Sequence, residues 1–439
     1  MAKTNLEIGG ELVKYGKSLG ASDVQVSVGS GERFSVDVRD GKVENLVQAG
    51  SMGLSLKVVL DGKVATASSS DMRPETLKKL MDGAVERAKY AGKDDFAELP
   101  DPEGEIVNAE KLNLYDPEFD SYTAEQKIKL AKEVERLALA EGKIKKSGGA
   151  GASSSINETT LVTSRGFAGS YKSSYFSYGV SLQAGEGDNL YDDGRWTSAR
   201  RMKDLESPEK IAREAVERTA RMIGARKIAT QNVPVVFEPE MSAMLLGFLA
   251  SCIYGSSVYM NRSFLAGKLG EKIAGENVTI IDDPLMPGAL GSRPFDGEGI
   301  ASRRNAIIER GVLKNYALNN YAAKKLNLKV NGMGSGTSNY YLESGKLSQA
   351  EIIKSVDKGL LLINTIGQGE VPTSGDISKG AYGMWIENGE IVYPVAEITF
   401  SGNLGKILNS IEMIGNDPDK TSSTYAPTIK VAELTLSGK

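Results

Sequence analysis

The chain has 439 residues, with 53 Lys and Arg against 57 Asp and Glu, no histidine and one cysteine. The formal charge of −4 gives no electrostatic footprint for nucleic acid or an anionic membrane surface, and the lack of histidine excludes every catalytic triad or dyad that uses imidazole. A single cysteine cannot form an internal disulfide and the N-terminal residues lack the apolar core of a signal peptide, so we expect a cytoplasmic protein with no direct contact to nucleic acid or membrane.

Patterns of helix and strand alternate through the first half of the chain. Apolar residues at helical spacing predict helices, and apolar residues at every second position predict strands, with Asp-Gly pairs at 40–41 and 61–62 favouring hairpin turns. The predicted elements are a helix at 6–19, strands at 24–28, 34–38 and 54–58, a helix at 74–91, an acidic connecting loop at 92–120, a helix at 123–141, strands at 160–163, 175–178 and 180–182, and a helix at 208–223. The order helix, strands, helix occurs twice, which is compatible with a duplication although the residues of the two runs do not match.

The second half begins with a strand at 235–237 and an almost wholly apolar helix at 241–253. This helix is too short to span a bilayer and is typical of a buried helix, and Glu238-Pro239-Glu240 suits its first turn. The later patterns predict a strand at 278–281, a hairpin at 306–318, a helix at 348–356 that begins with a capping box of Ser348 and Glu351, and a last hairpin that turns at Asn388-Gly389.

Together these patterns predict an α+β fold of mostly antiparallel sheets with covering helices. The length suffices for two or three domains with sizeable cores. We expect an N-terminal α/β region at 1–225, which a break near 92–120 would divide into two subdomains, followed by a sheet-rich C-terminal domain at 226–439.

Few side chains in this sequence suit catalysis or metal binding. Cys252 lies in the apolar helix, where a small core residue is favoured over a nucleophile, because a nucleophile needs a base and electropositive surroundings. With one cysteine and no histidine, only an all-oxygen metal site remains, and that site suits Mg²⁺, Ca²⁺ or Mn²⁺. The best cluster for it is Asp282, Asp283, Asp296 and Glu298. Asp-Asp-Pro and Asp-Gly-Glu-Gly are also ordinary turn sequences, so metal binding is the weaker interpretation.

Two glycine-rich segments are candidate binding loops. Residues 331–338 lack the Gly-Lys-Ser/Thr ending and the surrounding fold of a phosphate-binding loop, so a flexible loop is favoured. The other segment precedes the last hairpin, and its small residues would let another backbone approach, as pairing with an extended peptide or a partner's edge strand requires. A glycine-rich bend within the sheet explains the same residues equally well. The candidate residues for substrate or partner binding are Ser374, Gly375, Asp376, Ser378, Gly380, Tyr382 and Gly383.

Five segments stand out as motifs. They are DDPLMPG at 282–288, SRPFDGEG at 292–299, IGQGEVPTSGD at 366–376, KGAYGMWIENGEIVYPVAEITFSGNL at 379–404 and MIGND at 413–417. Together with the buried helix, these segments resemble the TldD/PmbA family, historically called modulators of DNA gyrase. The WIENGEIVYP stretch is most similar to the PmbA branch, also called TldE. The resemblance covers nearly the whole chain, by motif in the second half and by pattern in the first.

The resemblance implies where a metal site would lie in a catalytic relative. The TldD branch carries His-Glu-x-x-x-His on the buried helix and a late cysteine, which together hold zinc. The matching positions in this sequence are Gly247, Phe248, Cys252 and Ile414. Three of these four cannot bind metal, and a shifted match gives the same result because the chain has no histidine. We therefore expect no catalytic residue and no cofactor in this chain, and zinc in a TldD-like partner.

The function implied by the resemblance is that of a non-catalytic PmbA/TldE-type subunit. The chain would form a heteromer with a TldD-like catalytic subunit, or a homodimer when isolated, and the complex would process unfolded or extended peptides. In that complex the partner's glutamate would act as base for a zinc-bound water. Two alternatives stay open: an independent hydrolase with an oxygen-ligand metal at the 282–298 loop, and a non-proteolytic protein that binds gyrase or another regulator.

Overall fold

The computed structural model describes residues 3–144, 146–186 and 189–438. The first half contains four α-helices where the sequence predicts them, and long strands. Their bounds are α1 (Asn5–Ser18), β1 (Asp23–Arg39), β2 (Lys42–Leu60), β3 (Lys63–Ser69), α2 (Pro74–Tyr90), α3 (Ala124–Leu139), β4 (Lys146–Thr163), β5 (Ala168–Glu186), β6 (Asn189–Ala199) and α4 (Pro208–Ala220). Residues 1 and 2, part of the N-terminal stretch on which the prediction of a cytoplasmic protein rests, lie outside the described residues.

The second half has shorter elements. Their bounds are β7 (Gln231–Phe237), α5 (Pro239–Ile253), α6 (Gly255–Tyr259), β8 (Ile280–Asp282), β9 (Asn305–Glu309), β10 (Val312–Leu313), α7 (Asn320–Lys325), β11 (Tyr340–Leu342), α8 (Gln349–Lys354), β12 (Lys358–Ile366), β13 (Glu370–Val371), β14 (Asp376–Glu387), β15 (Glu390–Asn403), α9 (Leu404–Asn409), β16 (Ile411–Ile414), β17 (Thr424–Tyr425) and β18 (Ile429–Ser437). The predicted α+β class with mostly antiparallel sheets is confirmed.

The strands of the first half form one six-stranded sheet in the order β3-β2-β1-β4-β5-β6. The order is symmetric about the antiparallel pair of β1 and β4, so each run of helix, strands and helix contributes one half of the sheet. The two Asp-Gly pairs turn as predicted, with positive φ at both residues of each pair, which a type I′ hairpin requires. The repeated order in the sequence therefore corresponds to a repeated arrangement in space.

The helices of the first half cover one face of the sheet. Helices α1 and α2 pack on one end of this face, where Val26, Leu56 and Met81 are buried in one core. Helices α3 and α4 pack on the other end, in a second core that includes Val36 and Val180. The opposite face carries many serines and glycines and is turned toward loops of the second half.

The second half is built around a closed ring of strands and a smaller sheet. Strands β12, β7, β18, β15 and β14 pair in that order, and β14 pairs back to β12. A five-stranded sheet of β10-β9-β8-β11-β17 lies beside the ring. Helix α5 shares one hydrophobic core with both, as predicted for a buried helix. The predicted capping box of Ser348 and Glu351 starts α8.

Two pairs of predicted strands need correction. The strands predicted at 24–28 and 34–38 are parts of one strand, β1. The stretch at 175–182 is one strand, β5, because Gly179 allows β6 to approach; a Cβ at Gly179 would lie 2.3 Å from the carbonyl oxygen of Arg195. The acidic segment at 92–120 is a connecting loop, as predicted, and it also contains buried side chains, Leu99, Leu112 and Leu114. The domain boundary at 225/226 and the division near 92–120 stay predictions.

Candidate functional site

Helix α5 begins at a cluster of ion pairs that joins the two halves. Its first turn carries Glu240, and Glu238 lies just before it, where acidic side chains favour the positive end of the helix dipole. Arg218 of α4 donates to both carboxylate oxygens of Glu240 at 2.5 and 2.7 Å, and Arg221 does the same to Glu238 at 2.6 and 2.9 Å. These pairs fix the direction in which α5 enters the core.

The four positions that match the zinc ligands and the base of catalytic relatives do not form a metal site. Gly247 is exposed on the surface of α5. Phe248 is 5% exposed, Cys252 is fully buried and Ile414 is 8% exposed, and these three pack in the same hydrophobic core. Burial raises the pKa of Cys252 to about 11, so it is a protonated thiol at neutral pH. These side chains do not fit a zinc ion.

Asp282 and Asp283, at the end of β8, accept hydrogen bonds from other residues of this chain. Asp282 is fully buried and accepts hydrogen bonds from the N–H and the hydroxyl of Ser338. Asp283 accepts the N–H of Leu285 at 3.0 Å, which closes the turn after the strand. Both carboxylates therefore have roles that the turn sequence alone explains.

Asp296 and Glu298 hold the loop that follows. Asp296 is buried and accepts the N–H groups of Glu298, Ile300 and Gly334 at 2.8–3.0 Å. Glu298 accepts the N–H of Asn320 at 2.6 Å, and burial together with the neighbouring Asp296 carboxylate raises its pKa. Across 3–144, 146–186 and 189–438, no group of three or more His, Cys, Asp or Glu is arranged to hold a metal ion. The geometry gives the oxygen-ligand metal alternative no support.

The glycine-rich loop at 331–338 directs its N–H groups at these carboxylates. Gly334 donates to Asp296 and Ser338 to Asp282, while the hydroxyl of Ser335 accepts the N–H of Gly297 at 2.6 Å. Exposed N–H groups in such loops bind anions, and here the anions are side chains of the same protein. The loop is therefore fixed by the 282–298 segment.

A cavity of about 920 Å³ separates this loop system from the serine-rich face of the six-stranded sheet. On the side of the second half it is lined by Arg293, Phe295, Asp296, Gly297 and Ser335. The first half contributes hydroxyl groups and glycines, namely Ser27, Gly29, Gly53, Ser55, Ser68, Ser69, Ser70, Thr159 and Thr160, together with the larger side chains Val28, Leu54, Leu161 and Tyr171. The volume lies in the range of ligand-binding clefts, and hydroxyl groups can bond to the backbone of an extended chain.

The segment predicted to bind a peptide by strand pairing has no free edge. Strand β14 pairs with β12 and β13 on one side and with β15 on the other. Gly380 lies opposite Ile366 and Thr399, and a Cβ at Gly383 would lie 2.5 Å from the carbonyl oxygen of Leu361. The small residues do allow a close backbone approach, but the approaching strands belong to the same chain. Peptide pairing at this strand is therefore ruled out as the reason for its glycines.

The remaining residues of that segment are distributed over the turn and the strand. Gly375 and Gly383 are buried, and Gly380 and Tyr382 are partly buried. Ser374, Asp376 and Ser378 are exposed, and Asp376 accepts a hydrogen bond from Asn403 at 2.9 Å. Only the exposed side chains are accessible to a partner.

Sequence patterns gave no signal for two features of this region. The arginines that hold α5 come from β6 and from the end of α4, and Arg195 pairs with Asp419, Glu214 and Glu206 as well as with Glu240. The cavity wall includes serines and glycines that are distant in sequence, and the register of the sheet brings them together on one face.

Among the described residues, no helix has the length and apolar character needed to cross a membrane.

Asp282 makes the stability of this region depend on pH. Burial raises its pKa to about 6 from 3.8, so protonated Asp282 stabilises the fold at low pH and this contribution is lost as the pH rises toward 6. We compare the free energy of unfolding of Asp282→Asn with that of the natural chain. The difference should be about 2 kcal/mol more in favour of the variant at about pH 7 than at about pH 4.5. Urea unfolding of both chains at the two pH values measures the difference, and an unchanged difference would contradict the assignment.

Models of known families match most of the chain. The "PmbA/TldA metallopeptidase C-terminal domain" matches residues 230–438, the "central domain" of the same description matches 117–223, and "domain 1" matches 24–88. Metalloprotease PmbA of Escherichia coli O157:H7 is 33% identical over 425 residues, which cover 97% of this chain and 93% of that protein. A Metalloprotease PmbA homolog of Haemophilus influenzae is 31% identical over 433 residues, which cover 97% and 94%.

Solved structures agree with these matches. The crystal structure of a proposed modulator of DNA gyrase from Bacteroides thetaiotaomicron has a TM-score of 0.93 and 31% identity, with 100% of both chains covered. TldE from Thermococcus kodakarensis has a TM-score of 0.87 at 22% identity, with 98% of this chain and 100% of that chain covered. The second likeness is one of fold.

Proposed function

Because this chain belongs to the PmbA/TldD family of metallopeptidase relatives, we propose that it is a non-catalytic PmbA/TldE-type subunit of a two-chain zinc metalloprotease. One observation carries the proposal. The positions that hold zinc and the base in the catalytic branch are Gly247, Phe248, Cys252 and Ile414 here, and the three with larger side chains are sealed in a hydrophobic core. A chain whose one potential ligand at these positions is the buried thiol of Cys252 would depend on a TldD-like partner for hydrolysis.

This chain would contribute a surface that lines the substrate cavity, and no catalytic residue. The cavity of about 920 Å³ offers hydroxyl groups and a few charged side chains and is closed on one side by the loops at 292–299 and 331–338. Such a surface suits an unfolded or extended peptide, whose backbone needs hydrogen-bond partners along its length. A folded protein would not fit a space of this size. The two chains together would therefore admit unfolded peptides and exclude folded substrates.

Reconstitution with a TldD-like chain tests the proposal. We expect neither cleavage of an unfolded peptide such as reduced, carboxymethylated casein by this chain alone nor full activity by the partner alone, and we expect activity when the two are mixed. The matched control is the partner mixed with this chain after heat denaturation, which should add nothing. Equal activity of the partner with and without this chain would contradict the proposal.

A non-proteolytic role in binding gyrase is the second candidate. It rests on the description of the Bacteroides thetaiotaomicron structure, which is 31% identical to this chain, as a proposed modulator of DNA gyrase. We propose that the protein is cytoplasmic. A pull-down with the tagged chain from a cytoplasmic extract therefore separates the two candidates. Recovery of gyrase in the absence of a TldD-like chain would favour this second role, and recovery of the TldD-like chain would favour the first.

A further inference from the structure

The cavity between the six-stranded sheet and the loops of the second half has one positively charged side chain in its wall. Of the described residues that line it, Arg293 is the only one with a cationic group and Asp296 the only one with an anionic group. The other lining residues offer hydroxyl groups, glycine backbone and apolar surface. A single guanidinium in an otherwise almost uncharged wall is a candidate contact for a negatively charged group of a ligand.

Backbone carbonyls on both sides of the cavity loop hold Arg293 in place. The N–H of Arg293 donates to the carbonyl of Pro284 at 3.0 Å, and Nη2 of its side chain donates to the carbonyl of Gly336 at 2.6 Å. Gly336 has a φ of 82°, which glycine adopts without strain, so the carbonyl that fixes the guanidinium depends on glycine at this position. The guanidinium is therefore positioned before a ligand binds.

Most of the hydrogen-bonding capacity of Arg293 is unused. Nε is buried without a partner, and among the described residues Nη1 has no partner either, although it is not buried. A guanidinium is a planar group of N–H donors whose spacing matches the two oxygens of a carboxylate. The donors that the fold leaves unpaired therefore suit a carboxylate that comes from outside the chain.

The carboxylates of the chain itself do not pair with Arg293. Asp296 accepts N–H groups of the two cavity loops, and Asp282 accepts the N–H and the hydroxyl of Ser338. Burial raises the pKa of Asp282 and the charge of Arg293 opposes that rise, so these two groups interact only at a distance. Among the described residues, no carboxylate forms an ion pair with Arg293, and its positive charge is left for a ligand.

A hydroxyl donor stands beside the guanidinium in the same loop. Ser335 lines the cavity and precedes Gly336, whose carbonyl fixes Arg293. The Ser335 hydroxyl accepts the N–H of Gly297 at 2.6 Å, and among the described residues it donates to no acceptor, so its proton is free for a ligand. The glycine-rich loop at 331–338 thus supplies both the group that positions the guanidinium and a second donor for an anion.

We infer that Arg293 binds a carboxylate of the peptide in this cavity, either the C-terminal carboxylate or the side chain of an aspartate or glutamate. This role rests on the proposed function in one respect, that the cavity accepts peptides. It adds a preference to that function: a peptide that presents a carboxylate to Arg293 binds more tightly than the same peptide without one. The contact also sets the position of the peptide along the hydroxyl-rich wall.

Binding of labelled peptides to the purified chain, measured by fluorescence anisotropy, tests this role without a partner. One peptide with no charged side chain is prepared with a free C-terminal carboxylate, with a C-terminal amide, and with a C-terminal amide and one internal glutamate. We expect a carboxylate-bearing peptide to bind at least roughly tenfold more tightly than the uncharged amide. The form that binds more tightly identifies the source of the carboxylate, and equal affinity for all forms would overturn the inference.

Variants of the chain locate the preference. Arg293→Gln should remove it, so that all forms of the peptide bind alike, and Arg293→Lys should retain part of it because the positive charge remains. Arg304→Gln is the matched control, since it removes the same charge from a side chain that is 51% exposed, pairs with Glu343 and is not among the lining residues. The control should keep the full preference.

The outcomes separate this role from the proposed function. A preference that survives Arg293→Gln, in a variant whose circular dichroism matches that of the natural chain, would overturn the role of Arg293, and so would the absence of binding by every form of the peptide. In both cases cleavage in the mixture with a TldD-like chain still decides the proposed function. If the preference is found and lost with Arg293→Gln while the mixture cleaves nothing, the carboxylate site is supported and the proposed function is wrong.

Discussion

Asp296→Ala is expected to lower the free energy of unfolding by about 4 kcal/mol, because one buried and two partly buried N–H groups lose their acceptor at once. The three donors belong to Glu298, Ile300 and Gly334, and Asp296 itself is 2% exposed. Each unsatisfied buried donor costs about 1–3 kcal/mol, and some relaxation of the loop reduces the sum. Urea unfolding followed by tryptophan fluorescence and circular dichroism measures the loss.

Asp283→Ala is the matched control for this prediction. Asp283 comes from the same loop but accepts one N–H group, that of Leu285, and we expect a loss of about 1 kcal/mol. The comparison separates a structural role from metal binding. If Asp296→Ala leaves stability unchanged and removes a metal-dependent activity, then the oxygen-ligand site is real and the structural assignment of these carboxylates is wrong.

Arg218→Ala is expected to lower the free energy of unfolding by about 3 kcal/mol, because Glu240 then loses both short hydrogen bonds and keeps only Arg195 at 3.6 Å, while Asp193 loses its ion-pair partner. The side chain of Arg218 is 18% exposed, and those of Glu240 and Asp193 are 39% and 13% exposed. The larger exposure of Glu240 places the expected value at the lower end for a buried ion pair. Thermal and urea unfolding measure it.

The control for Arg218 is Arg136→Ala on α3. Arg136 forms an ion pair with Glu133 whose partners are 64% and 37% exposed, so we expect a loss below about 1 kcal/mol. The double change Arg218→Met with Glu240→Gln should recover part of the loss, because no unpaired charge remains at Glu240. Equal losses for Arg218→Ala and Arg136→Ala would show that the cluster at the start of α5 adds nothing to stability.

Local sequence signals predicted the elements that depend on local chemistry. The Asp-Gly pairs predicted the turns of the first two hairpins, and Asn388-Gly389 predicted the turn of the last. The capping box at Ser348 predicted the start of α8. The apolar run before Cys252 gave a buried helix. In each case a few neighbouring residues determine the backbone conformation, so a single sequence contains the information.

Features that depend on distant residues were missed for a physical reason. Strand β4 includes the Ser- and Gly-rich stretch SGGAGASSS, which has low strand propensity and forms a strand because β1 and β5 pair with it on both sides. The same long-range pairing closes the ring at β14 and occupies the edge that was expected to bind peptide. The carboxylates at 282–298 looked like metal ligands because several of their N–H donors lie elsewhere in the chain, at Asn320, Gly334 and Ser338.

Metal analysis of the purified chain, combined with a peptide-cleavage assay of the same sample, tests the proposed role most directly. The helix that the resemblance matches to the zinc-binding helix of catalytic relatives has one potential ligand here, the thiol of Cys252, and it is buried in the core beside Phe248, while Gly247 has no side chain. After incubation with zinc and removal of the free ion, we expect no stoichiometric zinc and no cleavage. One tightly held zinc ion per chain, together with turnover of an unfolded peptide by this chain alone, would contradict the account.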